Sequence, residues 1–319
     1  MGDFSQLVRA CLASGAVLTA LCAMIVVPVV LWIGVRLLTP RIVALDGDPR
    51  WQAPLAALAA ALPGAAFGAL AFEAILTAPH SQCLAFVSGR IIFGVVIALA
   101  VAAFVRAAWL SWRRHAEVRK LIATSRPPSA RVAAIASDIG LSVRSLAGSG
   151  AICALGGTMF VSILLSQGAE RRLNDDELRA ALLHERAHYD RGDQWLIALV
   201  TFASEALPLF VGDLIALYLR ARELAADRDA TRKADGLDLA SAILRLSGAA
   251  SPTYVAGLSG EVGAVETRLD ALLTPRPTPL AQSRLVAVLS LALLGALATT
   301  SLIANLVVAA SCAHMGSML

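Results

Sequence analysis

Residues 174–190 read Asn-Asp-Asp-Glu-Leu-Arg-Ala-Ala-Leu-Leu-His-Glu-Arg-Ala-His-Tyr-Asp, and this stretch decides how the rest of the chain is interpreted. Asn174 followed by Glu177 three residues later has the form of a capping box, which marks the start of a helix. Leucines and alanines at helical spacing follow, and both are good helix formers. The stretch therefore predicts a helix over 175–190.

The same stretch contains an H-E-x-x-H motif formed by His184, Glu185 and His188. Residues four apart lie one above the other on a helix, so both imidazoles can reach one Zn²⁺. Glu185 then lies beside the metal-bound water as the catalytic general base. The alternative is a solvated helix with two incidental histidines, and only five histidines occur in the chain.

A second motif, Arg-Glu-Leu-Ala-Ala-Asp at 222–227, offers a third metal ligand. Glu223 would complete a His₂Glu site with one open position for water, as in catalytic zinc centres. Asp227 lies one helical turn further on and can accept the outer N–H of a ligand histidine. The two motifs together predict a zinc-dependent hydrolase with Zn²⁺ as cofactor.

The composition predicts an integral membrane protein. Hydrophobic residues make up 58% and charged residues 16%, with a mean hydropathy of +0.72, which is too apolar for an ordinary globular domain. Charge-free or nearly charge-free runs long enough to span a bilayer lie between Arg9 and Arg36 and at 53–77, 91–112 and 285–310. The predicted fold class is a mainly α integral membrane protein with four transmembrane helices and a cytosolic α+β zinc peptidase domain.

Basic residues next to the spans predict the orientation, because Lys and Arg accumulate on the cytosolic side. Six of them lie within 113–131. Both termini are then extracytoplasmic in the plasma membrane, and the domains are 1–112 with three spans, a cytosolic body at 113–283, and 284–319 with the last span. The net charge of +4 is explained by these bases, so no nucleic-acid partner is expected.

Residues 195–219 form another apolar stretch, but zinc geometry excludes a single crossing. Such a crossing would place Glu223 across roughly 30 Å of hydrocarbon from His184 and His188, whereas all three must lie about 2 Å from one metal. Pro208 near the middle favours a broken, re-entrant helical hairpin. A buried helix of the cytosolic body remains the alternative.

The body contains further predicted elements. Short apolar segments at 141–146 and 151–155 and a β-branched segment at 158–166, separated by glycines, predict a small sheet before the metal-binding helix. Helices are expected at 129–138, 236–248 and 262–273. In zinc peptidases an edge strand of this kind can hold an extended substrate by main-chain pairing.

These motifs resemble the antibiotic-sensor membrane metallopeptidases of the BlaR/MecR type, which are gluzincins, and more distantly the CAAX-prenyl and heat-shock membrane proteases. The resemblance covers about 113–280 and rests on segments 152–166, 168–178, 184–188, 191–193 and 222–227. The extracellular penicillin-binding sensor domain of that family is not expected here, because only residues 311–319 follow the last predicted span.

The resemblance implies a membrane-embedded zinc metalloendopeptidase that acts at the cytosolic face in signalling, in an antibiotic response, by cleaving itself or a transcriptional repressor of the winged-helix type. The expected partners are thus a protein substrate and the lipid bilayer. A quality-control protease for membrane proteins, a non-catalytic zinc-dependent sensor or scaffold, and a transporter-like role suggested by Glu73 are the alternatives. For oxyanion stabilisation the sequence offers Tyr189, Arg228 and Tyr254.

The cysteines allow one further hypothesis. Cys83 and Cys312 are both expected outside the membrane, where an oxidising compartment favours a disulfide. With His80 and His314 they could instead form a second metal site, and two unpaired thiols are the simplest alternative. Cys153 is expected to be a reduced, buried thiol.

Overall fold

The protein is described from a computed structural model, which covers residues 26, 29–45, 49–77, 87–140, 142–157, 161–206, 212–247, 262–274 and 295. It is mostly helical with one small sheet. The elements in chain order are α1 (29–43), α2 (Pro49–Thr77), α3 (Val87–Thr124), α4 (Ala130–Ser137), β1 (Val143–Leu146), β2 (Cys153–Gly156), β3 (Ser162–Ser166), α5 (Gln167–Arg172), α6 (Asp175–Asp190), α7 (Asp193–Ala206), α8 (Gly212–Ala230), α9 (Gly236–Leu246) and α10 (Val262–Leu273).

The predicted membrane architecture is wrong. Among the residues that the structure describes, no helix combines the length and the apolar character that a membrane crossing requires. The run at 53–77 belongs to α2, which packs against α7 and α8, so its buried side chains contribute to a protein core. The four-span fold class and the multi-pass plasma-membrane localisation, with outer termini and a cytosolic active site, are corrected accordingly. The run at 285–310 lies outside the described residues apart from Gly295.

The boundary predicted between 112 and 113 falls inside one helix. α3 continues from Val87 to Thr124, through the basic residues that follow Trp112. The division of the chain into three regions stays a prediction.

One hydrophobic core lies between the N-terminal helices and the α7–α8 pair. Its buried members are Val35, Leu38, Ile42 and Leu45 from the first segment, Ala53, Leu55, Ala56, Ala57, Ala59 and Ala60 from α2, and Val200, Leu214, Leu217, Tyr218 and Ala221 from α7 and α8. The backbones approach closely at Gly64, where an added Cβ would lie 2.9 Å from the carbonyl oxygen of Ala203. Glycine is therefore required for the α2–α7 contact.

A second core forms around the sheet, whose strand order is β1-β3-β2. β1 pairs with β3 in parallel and β2 pairs with β3 antiparallel. α6 packs against β2, α8 and α9. Buried residues of α6 in this core include Leu178, Leu182 and Leu183, and α9 contributes Leu239 and Ile243 to the same core. The sheet, α6 and the C-terminal helices therefore form one packed body.

Helix α6 begins as its sequence predicts, with a complete capping box. The Asn174 side chain accepts a hydrogen bond from the Glu177 backbone N–H at 2.8 Å, and the Glu177 carboxylate accepts one from the Asn174 N–H at 2.9 Å. The other carboxylate oxygen of Glu177 contacts the Ser241 hydroxyl at 2.5 Å and the Arg245 guanidinium at 2.8 Å on α9. The cap therefore fixes both the start of α6 and its position against α9.

Asn174→Ala should lower the free energy of unfolding by about 1 kcal/mol, because the Glu177 N–H loses its acceptor. Chemical denaturation measures this change. Asn174→Asp, which keeps an accepting oxygen, is the matched control and should unfold close to the unaltered protein. Equal stability of the Ala and Asp variants would contradict the role of the cap.

Candidate metal centre

Helix α6 carries the H-E-x-x-H motif into the interior of the protein. The side chains of His184, Glu185 and His188 are 0%, 0% and 3% exposed. The two imidazole rings meet edge to face with centroids 4.7 Å apart. The solvated-helix alternative is thereby excluded, because both histidines are buried and directed at the same point.

Helix α8 brings the third predicted ligand to the same point. The Glu223 Oε2 atom lies 3.4 Å from His184 Nε2, and its Oε1 atom lies 3.4 Å from His188 Nε2. These three side chains form a candidate metal-binding triad. The apolar stretch 195–219 covers most of α7 and the first part of α8, with residues 207–211 outside the described part. The chain therefore returns to the histidines, as a shared site requires.

Each histidine is held by a carboxylate on its far side. His184 Nδ1 lies 2.8 Å from Asp227 Oδ1, and His188 Nδ1 lies 2.7 Å from Asp193 Oδ2. A carboxylate at this distance accepts the Nδ1–H proton, which leaves Nε2 of the neutral ring with a lone pair. Both rings then present lone pairs to the same space.

The geometry fits a tetrahedral metal. The two Nε2 atoms are 3.1 Å apart, a separation at which two facing lone pairs repel each other unless a cation or a proton lies between them. Two ligand atoms bound tetrahedrally at 2.0–2.1 Å are separated by about 3.3 Å. The observed separations of 3.1 and 3.4 Å agree with this value. The donor set of two imidazoles and one carboxylate therefore fits a bound divalent cation.

The carboxylate of Glu185 lies beside the triad. Within the described part of the chain, neither carboxylate oxygen of Glu185 has a hydrogen-bond partner. Burial raises the pKa of Glu185, and the nearby His184 and His188 partly oppose this shift. A buried carboxyl group with a raised pKa and free oxygens is suited to accepting and returning a proton.

Two buried arginines balance the negative charges of Asp227 and Glu223. Arg268 of α10 binds Asp227 with two hydrogen bonds of 2.6 and 2.7 Å, and its Nη1 lies 3.2 Å from Glu223 Oε2. Arg222 contacts Glu223 Oε1 at 2.6 Å. Burial opposes ionisation, but Arg222 and His188 hold the pKa of Glu223 well below its usual range. Arg268, followed by His184, likewise lowers the pKa of Asp227 against the effect of burial.

Some of the other predicted site residues lie in the described part of the chain, and others lie outside it. Cys153 is a free, buried thiol in β2, as expected, and burial followed by the nearby Glu185 charge raises its pKa. Tyr189 is 38% exposed and is covered by the Arg186 guanidinium 5.4 Å from its ring. The proposed disulfide or second metal site lies outside the described residues, as does Tyr254; its members are Cys83, Cys312, His80 and His314.

Two residues of the centre were not identified from the sequence. Asp193 stands five residues after His188, in the turn that starts α7, and only the family resemblance drew attention to its segment. Arg268 lies between Val265 and Leu272 on one face of α10. An arginine within an otherwise apolar helical stripe was the available signal for a buried charged partner.

Comparison with known proteins adds no assignment. No protein-family model matches the chain, and searches of curated proteins and of solved structures found no match either. The resemblance to antibiotic-sensor metallopeptidases stays a prediction.

Removing either histidine-binding carboxylate should weaken metal binding. Asp227→Ala and Asp193→Ala should each lower zinc affinity roughly 10- to 100-fold, as losses of such outer partners do. Competition with a chromophoric chelator measures the affinity. Asp190→Ala changes an exposed acid on the same helix as the histidines and serves as the control. Unchanged affinity in Asp193→Ala would remove that residue from the centre.

The metal-free protein should bind zinc more tightly as the pH rises towards 9. Burial disfavours the charged imidazolium, but Asp227 and then Glu223 raise the pKa of His184 from 6.5 to about 9. Below that pH a proton competes with the metal for His184, so binding releases the proton and affinity increases with pH. The increase should level off near pH 9, as measured by chelator competition.

The matched control for this pH dependence is Asp227→Asn, which removes the charge that raises the pKa of His184. In this variant the increase in zinc affinity should level off closer to the ordinary histidine pKa of about 6.5. An unaltered protein whose affinity is already constant above pH 7 would contradict the raised pKa.

Proposed function

We propose that this protein is a zinc-dependent endopeptidase. One observation carries the proposal: the buried carboxyl group of Glu185, which has no hydrogen-bond partner among the described residues, lies beside two imidazoles whose Nε2 atoms face each other at 3.1 Å. A structural metal site has no use for such a carboxyl group, whereas hydrolysis needs a base beside the metal. His184, His188 and Glu223 are the proposed ligands.

The chemistry follows from the positions of these groups. When bound, Zn²⁺ lowers the pKa of a coordinated water and polarises a carbonyl group. Glu185 takes a proton from the attacking water and returns it to the amine that leaves when the peptide bond breaks. Asp227 and Asp193 accept the Nδ1–H protons and so direct Nε2 of each imidazole at the common point, and Arg222 and Arg268 keep Glu223 ionised.

A peptide is the best-supported substrate class because of the strand beside the base. β2 is at the edge of the sheet formed by the described strands, and it packs against α6. Its residue Cys153 lies close enough to Glu185 for the carboxylate charge to raise the pKa of the thiol. An extended peptide that pairs with an edge strand gains main-chain hydrogen bonds at regular spacing, and here it would be held next to Glu185.

The proposed physiological substrate is a regulatory protein. The resemblance to antibiotic-sensor metallopeptidases supports cleavage of a winged-helix transcriptional repressor, or of the protein itself, as the step that transmits a signal. An internal peptide bond is expected as the target, because pairing with β2 uses main-chain hydrogen bonds and does not require a free terminus of the substrate. Identification of cleavage products by mass spectrometry assigns the substrate.

Glu185→Gln should abolish peptide hydrolysis while zinc stoichiometry stays near that of the unaltered protein. The amide keeps the shape of the side chain but cannot accept the proton, and general-base catalysis contributes roughly 10²- to 10⁴-fold. Zinc content by atomic absorption and cleavage of a denatured-protein mixture by mass spectrometry measure the two properties. His184→Ala, which should lose metal as well, is the comparison variant. Hydrolysis by Glu185→Gln at the unaltered rate would contradict the proposal.

A non-catalytic zinc-dependent sensor or scaffold is the second candidate. The burial of both histidines, with Glu223 only 13% exposed, favours it, because structural metal sites are closed to solvent. The two functions differ in the role of Glu185. A scaffold would bind zinc and cleave nothing in either the unaltered or the Glu185→Gln form.

A further inference from the structure

Helix α8 is held by arginines from the N-terminal helices at both of its ends. Arg36 of α1 pairs with Asp213 in the first turn, and Arg50 of α2 pairs with Asp229 near the last residue at 2.6 Å. The two acids are 16 residues apart, which is about 24 Å along the helix. The proposed metal ligand Glu223 lies between them on the same helix.

Asp229 also faces Arg191 at the end of α6, the helix that carries both histidines. Its Oδ2 atom lies 3.7 Å from Nη1 of Arg191, and its Oδ1 atom lies 3.6 Å from Nη1 of the more exposed Arg232. Arg191 is the C-cap residue of α6 and is only 16% exposed. Asp229 therefore bridges α2, through Arg50, and the turn between α6 and α7, through Arg191.

The same arginine faces the carboxylate that holds His188. Arg191 Nε lies 3.5 Å from Asp193 Oδ2, the atom that contacts His188 Nδ1 at 2.7 Å. Asp193 is 2% exposed, and its Oδ1 atom has no hydrogen-bond partner among the described residues. A buried carboxylate is costly unless a cation compensates it. Arg191 supplies this compensation together with Arg222, whose pKa is raised, against the effect of burial, by Glu223 first and also by the charge of Asp193.

We propose that Asp229 is a positioning residue for the metal centre, acting through Arg191 on Asp193 and His188 while Arg50 anchors it to α2. The inference rests on the proposed function, since it concerns the same centre. Arg50, Asp229, Arg191 and Asp193 alternate in charge, and the last of them contacts His188, a proposed metal ligand. Asp229 thus sets the orientation of His188.

The experiment measures zinc and cobalt affinity of the metal-free protein by chelator competition, with the visible absorption of bound Co²⁺ as a report on ligand geometry. Asp229→Asn keeps the size of the side chain and removes its charge. It should weaken both affinities roughly 3- to 20-fold, the range of coupling through such networks, and should alter the cobalt spectrum. Arg191→Gln leaves the Arg50–Asp229 pair intact and should act in the same direction.

The matched control is Asp213→Asn. It removes an arginine pair at the opposite end of the same helix and does not involve Arg191. Its metal affinity and cobalt spectrum should equal those of the unaltered protein. Thermal unfolding of each metal-free variant separates a local change at the centre from loss of the fold.

A charge swap separates the role of Arg191 from simple anchoring of α8. Arg50→Asp combined with Asp229→Arg restores an ion pair between α2 and α8. The new arginine at position 229 would repel Arg191, so metal affinity should stay weak. Recovery of the unaltered affinity in the swap, or unchanged affinity in both Asp229→Asn and Arg191→Gln, overturns this inference alone. Failure of the unaltered protein to bind either metal overturns the proposed function and this inference with it.

Discussion

The metal centre depends on two contacts between a buried carboxylate and an imidazole, Asp227 with His184 and Asp193 with His188. Each contact assigns the proton of its ring to Nδ1 and so turns the Nε2 lone pair towards the common point. The two carboxylates come from different helices, α8 and α7. Helix α6 alone therefore carries the motif without forming the site, and the site exists only when all three helices have packed.

Burying these acids requires cations from distant parts of the chain. Arg268, 41 residues after Asp227, binds it through both of its oxygens, and this arginine lies on the last helix described. Breaking one member of a buried ion pair leaves an uncompensated charge, which is strongly destabilising. The electrostatic requirements of the centre thus connect α10 to α6 and α8 as firmly as their apolar contacts do.

The meeting of the two histidines could be predicted because helical spacing is a local property: His184 and His188 are four residues apart, and Asn174 with Glu177 marks where the helix starts. The strands and the helices after them were also located, since their glycine and β-branched patterns are local. Asp193 and Arg268 were missed because their partners are set by tertiary packing. The apolar run at 53–77 was wrongly predicted to span a membrane, because a helix buried in protein and a helix buried in lipid both require apolar side chains. The alanines of α2 that suggested a span pack instead against α8.

Helix α8 contributes to both hydrophobic cores. Leu214, Leu217 and Tyr218 belong to the core with α1 and α2, and Ala230 belongs to the core around the sheet. Unfolding of α8 would remove buried residues from both cores at once. The described helices and sheet should therefore unfold as one cooperative unit, with coincident transitions for probes placed in either core. A cation that binds only the folded centre would then protect α1 and α2 from opening as strongly as it protects α6, although it touches neither of them.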